Sequence, residues 1–156
     1  MEITIRKAQP EDAPGLSEIL RSVDWFTALI ELSPEELAAQ VTRNLEADSA
    51  SDSHSIWVAE TGAGRLVGYI AIHWLPYLFL EGQEGYISEL YVHKGVRGAQ
   101  IGTRLLETVK EEALQRGCSR LMLANGRTRE SYQREFFKKN GWRERETIAN
   151  FILELK

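Results

Sequence analysis

The sequence predicts an α/β protein, with strands and helices interspersed, on three observations. Apolar residues alternate with polar ones in some segments and recur every third or fourth position in others, so strands and helices are interspersed along the chain. Two strand-like runs flank Thr61-Gly-Ala-Gly64, which is a hairpin signal. A third run, Tyr86-Ile-Ser-Glu-Leu-Tyr-Val92, passes through His93-Lys-Gly-Val-Arg97 and Gly98-Ala-Gln-Ile-Gly102 into a long amphipathic segment. That passage reads as a strand, a tight basic glycine loop and a helix that begins inside the loop.

Taken in order, Ile3 and Ile5 alternate with polar neighbours and predict the first strand. Asp12 is placed to cap a helix with Pro14 in its first turn, carrying Leu16, Ile19, Leu20 and Val23 on one face. Ser33-Pro34-Glu35-Glu36 is a capping box with proline at the first helical position, and that helix continues through Leu37, Val41 and Leu45. The polar stretch from Asp48 to Ser55 predicts a loop.

Ile56 to Glu60 and Leu66 to Trp74 form the hairpin, and apolar groups on both faces of the second strand make it central in its sheet. Pro76 ends that strand, and Glu81-Gly-Gln-Glu-Gly85 turns into the next. Ile101, Leu105, Leu106, Val109, Ala113 and Leu114 are the apolar stripe of the following helix, which Gly117 closes. Leu121 to Ala124 reads as a short buried strand, Ser131 to Lys139 as a helix, and Trp142 to Leu155 as one or two terminal strands. With no repeat or linker, residues 1–156 are expected to form a single domain.

Composition narrows the class. Hydrophobic residues at 43% and charged residues at 27% are those of an ordinary globular protein. One cysteine, Cys118, excludes an intrachain disulfide and points to a reducing compartment, with cytoplasmic location the expectation. Met1-Glu-Ile-Thr-Ile-Arg6 lacks the basic and apolar regions of a signal peptide, and no apolar run approaches the ~20 residues of a membrane span. A formal charge of −4 argues against a nucleic-acid partner and mildly favours a cationic small molecule or peptide.

The basic loop carries the most chemistry. Backbone N–H groups at a helix start are unpaired and sit at the positive end of the helix dipole, which suits a phosphate or pyrophosphate. Gly98 and Gly102 let the backbone approach a ligand, and Arg97 adds a planar cationic fork.

The loop resembles motif A of the GNAT superfamily of acyl-CoA N-acyltransferases, Gln/Arg-x-x-Gly-x-Gly/Ala. Arg97 matches its first position and Gly102 its last. Gln100 stands where the middle glycine is usual, which implies a right-handed helical backbone there. Leu90-Tyr-Val92 precedes the loop as a strand, and Phe136-Phe-Lys-Lys-Asn-Gly-Trp142 resembles the later Phe-Tyr-x-x-x-Gly-Phe element. The resemblance implies a mixed, mostly antiparallel sheet splayed between its fourth and fifth strands, with acetyl-CoA in the gap. It implies that the backbone of Leu90, Tyr91 and Val92 bonds the pantetheine arm and supplies an oxyanion donor. Arg97, Gly98, Ala99, Gln100, Ile101, Gly102 and Thr103 would then hold the pyrophosphate. Asn125 could bond the pantetheine or make a turn, and Phe137 would pack beside the sulfur.

Acyl transfer to an amine needs a proton acceptor, because a primary amine with a pKa near ~10 is mostly protonated at neutral pH. Glu89, on the strand that leads to the loop, is the first candidate base. Glu81 and Glu84, in the turn before it, are weaker candidates expected in solvent. Relatives protonate the leaving thiolate with a tyrosine where this chain has Phe137, so Tyr132 is the substitute candidate acid, with packing its simpler role. His54, His73 and His93 lack metal-ligand spacing, and no metal is expected. Cys118 has no activating neighbour. Arg127, Arg129 and Arg134 could meet phosphates or simply face water. Trp25 and Phe26 lie where the family contacts its acceptor, while Trp74, Tyr77 and Phe79 read as core.

These readings converge on an acetyl-CoA-dependent N-acetyltransferase acting on a small primary amine by direct attack, with a homodimer possible. Two alternatives stay open: a non-catalytic acyl-CoA sensor, kept alive by Phe137, and an enzyme acetylating protein or peptide amines.

Overall fold

The structure, a computed structural model, describes residues 1–23 and 31–156. Trp25 and Phe26 lie outside the described residues. The chain divides into two compact units, Met1–Met122 and Leu123–Lys156.

The first unit opens with β1 (Ile3–Lys7), a single turn at Pro10–Asp12 and α1 (Ala13–Arg21). The helix α2 (Pro34–Ser49) follows, then β2 (His54–Thr61), β3 (Leu66–Pro76), β4 (Gln83–Val92), a turn at Lys94–Val96, α3 (Ile101–Gln115) and β5 (Arg120–Leu123). The sheet order is β1-β2-β3-β4-β5, antiparallel through β4 and parallel between β4 and β5. This is the mixed, mostly antiparallel sheet that the family resemblance implies. The Ser119 N–H, just ahead of β5, donates to Gln83 O at the start of β4 (2.9 Å). A parallel strand of four residues that starts there accompanies only the first half of the ten-residue β4.

Helices cover both faces. Tyr69 of β3 joins Leu16, Ile19 and Leu20 of α1 and Leu37 and Leu45 of α2 in one buried cluster. On the other face α3 buries Ile101, Leu105, Leu106, Val109 and Ala113. It seats close to the strand at Gly68, where a Cβ would lie 3.1 Å from Ile101 Cγ2 and 3.2 Å from Tyr91 O. A side chain there would force Ile101 or the Tyr91 carbonyl to give by a few tenths of an ångström, so glycine suits that approach.

Polar anchors set the angles of these elements. The Ser33–Glu36 capping box forms as predicted, with Glu36 N–H to Ser33 Oγ at 3.1 Å and Ser33 N–H to Glu36 Oε2 at 2.8 Å. Asp12 behaves differently from expectation. Its carboxylate leaves α1 uncapped and instead takes both terminal nitrogens of Arg6 (2.8 and 2.9 Å) and the Gln9 N–H (2.8 Å). A bidentate guanidinium pair outcompetes a single backbone N–H. Glu112 of α3 ties the helix to β1 and β2, accepting from Lys7 (2.9 Å), Ser55 (2.8 Å) and the Trp57 indole (2.7 Å).

Single-residue register shifts interrupt two of the ladders. On β2–β3 one falls between Ala59 and Glu60; on β3–β4 one falls between Ala71 and Ile72. In the second, Ala71 pairs with Glu89 but Ile72 pairs with Ile87, so Ser88 is an extra residue on β4.

In the second unit the predicted helix from Ser131 to Lys139 is two single turns, α4 (Glu130–Gln133) and α5 (Phe136–Lys139). Glu135 between them takes a left-handed conformation (φ 55°), which no continuous right-handed helix accommodates. Trp142 to Leu155 forms no strand, a second correction. Ile148, Phe151, Ile152, Leu153 and Leu155 are exposed. Alternating apolar side chains alone do not make a strand; the ladder needs a partner edge to receive its N–H and C=O groups.

Candidate active site

The extra residue Ser88 decides which face of the sheet receives Glu89. Positions 87 and 89 share parity and would point the same way on a regular strand. Ile87 pairs with Ile72, two residues from Ile70 and four from Gly68 on the face that α3 covers. Past the bulge, Glu89 pairs with Ala71 and turns to the opposite face, where the Tyr69 hydroxyl donates to its Oε1 at 3.1 Å. Tyr69 in turn meets Tyr91 edge-on, ring centroids 5.7 Å apart.

Burial pushes the proton affinity of Glu89 up, and the Tyr69 hydroxyl partly reverses this. A carboxylate raised in this way is better matched to accept a proton near neutral pH than an exposed one. Tyr69 itself is driven well above its usual range, by burial first and by Glu89 second, so it is a neutral hydroxyl donor.

Beyond β4 the loop is pinned before it reaches α3. The His93 N–H donates to Val67 O (2.8 Å), and His93 Nδ1 accepts from the Gly95 N–H (3.1 Å). Two left-handed residues follow, Gly98 (φ 88°) and Gln100 (φ 58°). The expectation of a right-handed backbone at Gln100 is therefore corrected. The chain must reverse immediately ahead of α3, and it keeps the conformation that a glycine would adopt without strain.

From Gln100 the helix proceeds, with Arg104 N–H to Gln100 O (3.0 Å) as its first turn closes. The N–H groups of Ile101, Gly102 and Thr103 precede that bond, and no acidic side chain or side-chain cap covers them. At Gly98 a Cβ would meet nothing within 4 Å, so that side of the loop is open. Ala99 lies between the two left-handed residues, and Arg97 enters in an extended conformation. These are the features a pyrophosphate requires: uncapped N–H groups at a helix start, an open backbone and a guanidinium close by. Leu90, Tyr91 and Val92 form the last residues of β4 leading to this loop.

In the second unit, Tyr132 donates its hydroxyl to Glu144 Oε2 (3.0 Å), and the same carboxylate accepts from Arg127 (2.9 Å). Asn125 Oδ1 accepts from Ser131 Oγ (3.0 Å). Phe137 packs edge-on with Phe136 (5.0 Å) and Trp142 (6.1 Å), and Arg134 lies over the Phe136 ring.

The other carboxylates divide. Glu81 is exposed. Glu84, expected in solvent, is fully buried, a correction: it ion-pairs with Arg120 and bonds Tyr77. Its charge is accommodated because Arg120 brings a cation to it.

Sequence reasoning missed a polar cluster beside Glu89. His73 Nε2 lies 2.9 Å from the Ser88 hydroxyl, the His73 ring stacks on His54 (5.4 Å), and His54 pairs with Asp48 at the end of α2. Counting back from the hairpin turn on a regular ladder would put His73 opposite Ser53. The shift at Ala59/Glu60 puts it opposite His54 instead. Burial and then His54 hold His73 below its usual range. Among the described residues no group of three or more His, Cys, Asp or Glu is arranged to hold a metal. The Cys118 thiol is pushed up, mainly by burial, so it is less reactive than a free cysteine.

Fold and loop together fit an acyltransferase, and comparison agrees. Residues 20–142 match the acetyltransferase (GNAT) family, and the chain belongs to that family. It is an acyltransferase. A thialysine N-epsilon-acetyltransferase of Mus musculus is 28% identical over 123 residues, covering 77% of this chain and 72% of the relative. An L-methionine sulfoximine/L-methionine sulfone acetyltransferase of Pseudomonas aeruginosa is 32% identical over 121 residues, 75% of this chain and 67% of the relative. A solved structure from Bacillus halodurans C-125, described as a transcriptional regulator, superposes with a TM-score of 0.86 at 21% identity, covering 99% of this chain and 100% of its own. At that identity it bears on the fold alone.

Proposed function

We propose that this protein transfers an acetyl group from acetyl-CoA to the primary amine of a small molecule. The observation that carries the reading is Glu89, a partly buried carboxylate of raised proton affinity, turned by the Ser88 bulge at the head of a phosphate-suited loop. The names of the two relatives, which specify small amino-acid derivatives as acceptors, support the choice of substrate class.

Acetyl-CoA supplies an activated thioester. Arg97 and the N–H groups of Gly98 to Thr103 would hold its pyrophosphate, and the last residues of β4, Leu90 to Val92, would align its arm. Backbone N–H groups there would meet the negative charge that develops on the thioester oxygen, a contribution of ~2.7–4 kcal/mol per donor in comparable sites. Glu89 attracts the ammonium form of the acceptor and takes its proton, leaving the neutral amine to attack. Direct transfer is favoured over a covalent carrier. Cys118 is the one thiol and is not activated, and Asp48 pairs with His54 rather than with the His73 that contacts Ser88.

The test is incubation with acetyl-CoA and a pooled library of amines and peptides, following thiol release and product masses. Small-molecule amines should be acetylated, and Glu89→Gln should lower turnover by ~10²–10⁴-fold with little change in acetyl-CoA affinity. Acetyl-CoA binding without turnover on any amine would favour a sensor, and modified peptides alone would move the acceptor to proteins.

A further inference from the structure

A hydroxyl on the neighbouring strand holds the base. We propose that Tyr69 is the positioning residue for Glu89, clamping carboxylate Oε1 through its buried hydroxyl so that Oε2 is the atom presented to the acceptor's amine. The inference rests on the reading of Glu89 as base, and it adds a residue that touches neither substrate.

The geometry is specific. Tyr69 is 4% exposed, so its hydroxyl must find a partner inside the fold, and that partner is Glu89 Oε1 at 3.1 Å. A side chain this deep has little freedom to follow a moving carboxylate; the carboxylate is held to it. The ring is fixed on its other edges. Leu16, Ile19 and Leu20 of α1 and Leu37 and Leu45 of α2 pack in its cluster, and Tyr91 of β4 meets it edge-on.

Those neighbours from the helices are apolar, and Tyr91 contributes a second phenol. Among the described residues, burial and the Tyr69 hydroxyl are what act on the proton affinity of Glu89. Burial favours the neutral acid, and the Tyr69 O–H favours the carboxylate. The bond thereby does two things: it selects a rotamer, and it keeps Glu89 ionised, and so able to accept a proton, at a lower pH than burial alone would permit. The bulge makes the pairing possible, since in a regular ladder with Ser88 paired to Ala71 the carboxylate and the hydroxyl would sit on opposite faces.

Tyr69→Phe retains the ring and removes the donor. Two readouts are needed: the carboxyl ¹³C titration of Glu89 in the substrate-free protein, and the pH profile of kcat/KM. The titration midpoint should rise by about one pH unit, the size expected for one hydrogen bond to a charged group. The acid limb of the rate profile should rise with it, so that activity lost at neutral pH partly returns at alkaline pH. Placing 3-fluorotyrosine at position 69 makes a stronger donor and should lower both midpoints, which tests the same contact should the phenylalanine variant fold poorly.

An unmoved titration in folded variants, with Glu89→Gln still impaired, would overturn Tyr69 alone. A titration that moves while the rate profile does not, with Glu89→Gln as active as wild type, would overturn Glu89 as base, and the positioning role with it.

Discussion

Gln100 keeps a left-handed backbone at the point where the loop becomes α3, at a cost of roughly 1–2 kcal/mol for an L residue. Gln100→Gly removes that strain and gives back part of it in unfolded-chain entropy, so a net stabilisation of about 0.5–1 kcal/mol is expected in denaturant titration. Acetyl-CoA affinity should be kept, because the N–H groups stay where they are. Arg97→Ala, by contrast, would remove the guanidinium proposed to meet the pyrophosphate. It should weaken acetyl-CoA binding at low salt and much less at high salt, as calorimetry across ionic strength would read. Equal losses at all salt concentrations would mean that Arg97 acts through loop structure.

At the scale of elements, β4 does its positioning through one inserted residue. Ser88→Ala should preserve the bulge and most of the turnover. Deleting residue 88 should straighten the ladder with Glu89 directly after Ile87, still opposite Ala71 and still on the Tyr69 face. Turnover and thermal stability should then be largely kept, and a deletion variant that unfolds or loses all turnover would show that the local twist of the bulge is itself required. The helix α3 depends on Glu112 in a comparable way. Its carboxylate satisfies donors from Lys7, Ser55 and Trp57 and pairs with Arg116. Glu112→Ala should cost about 2–3 kcal/mol in chemical unfolding, since it strands two partly buried donors; the exposed Lys7 adds little.

For the whole molecule, pH enters through groups whose proton affinity changes on folding. His73 is held low by burial and by His54, so the folded chain binds its proton less readily than the unfolded chain. Stability therefore rises with pH up to the unfolded value near ~6.5 and is lost as pH falls below it. Burial raises Asp12, but Arg6 and the Gln9 N–H more than reverse this, and Asp12 stays below its usual range. Its contribution is present above the unfolded carboxylate range and is lost at more acidic pH. Urea midpoints measured from pH 7.5 to 5.5 should decline in the wild type and decline less in His73→Gln.

Much of this molecule was readable from local chemistry. The Ser33–Glu36 box, the Thr61–Gly64 hairpin, the apolar stripe of α3 and the loop from Arg97 to Gly102 are contiguous patterns, in which the atoms that interact are a few residues apart. The same locality placed Glu89 on the strand entering that loop. Other features depend on atoms brought together from distant positions. Which face Glu89 occupies, which histidine His73 stacks on and which hydroxyl reaches the Glu89 carboxylate are set by single-residue shifts between strands, and a shift of one inverts every side chain beyond it. Gln100 took a glycine's conformation because α3 must start there, and Glu84 was drawn into the interior by Arg120, 36 residues away. Residue types and local periodicity determined the elements up to β5 and the place of the loop, but not the chain after Leu123. The pairing register, a property of two strands at once, decided which side chains met to make the site.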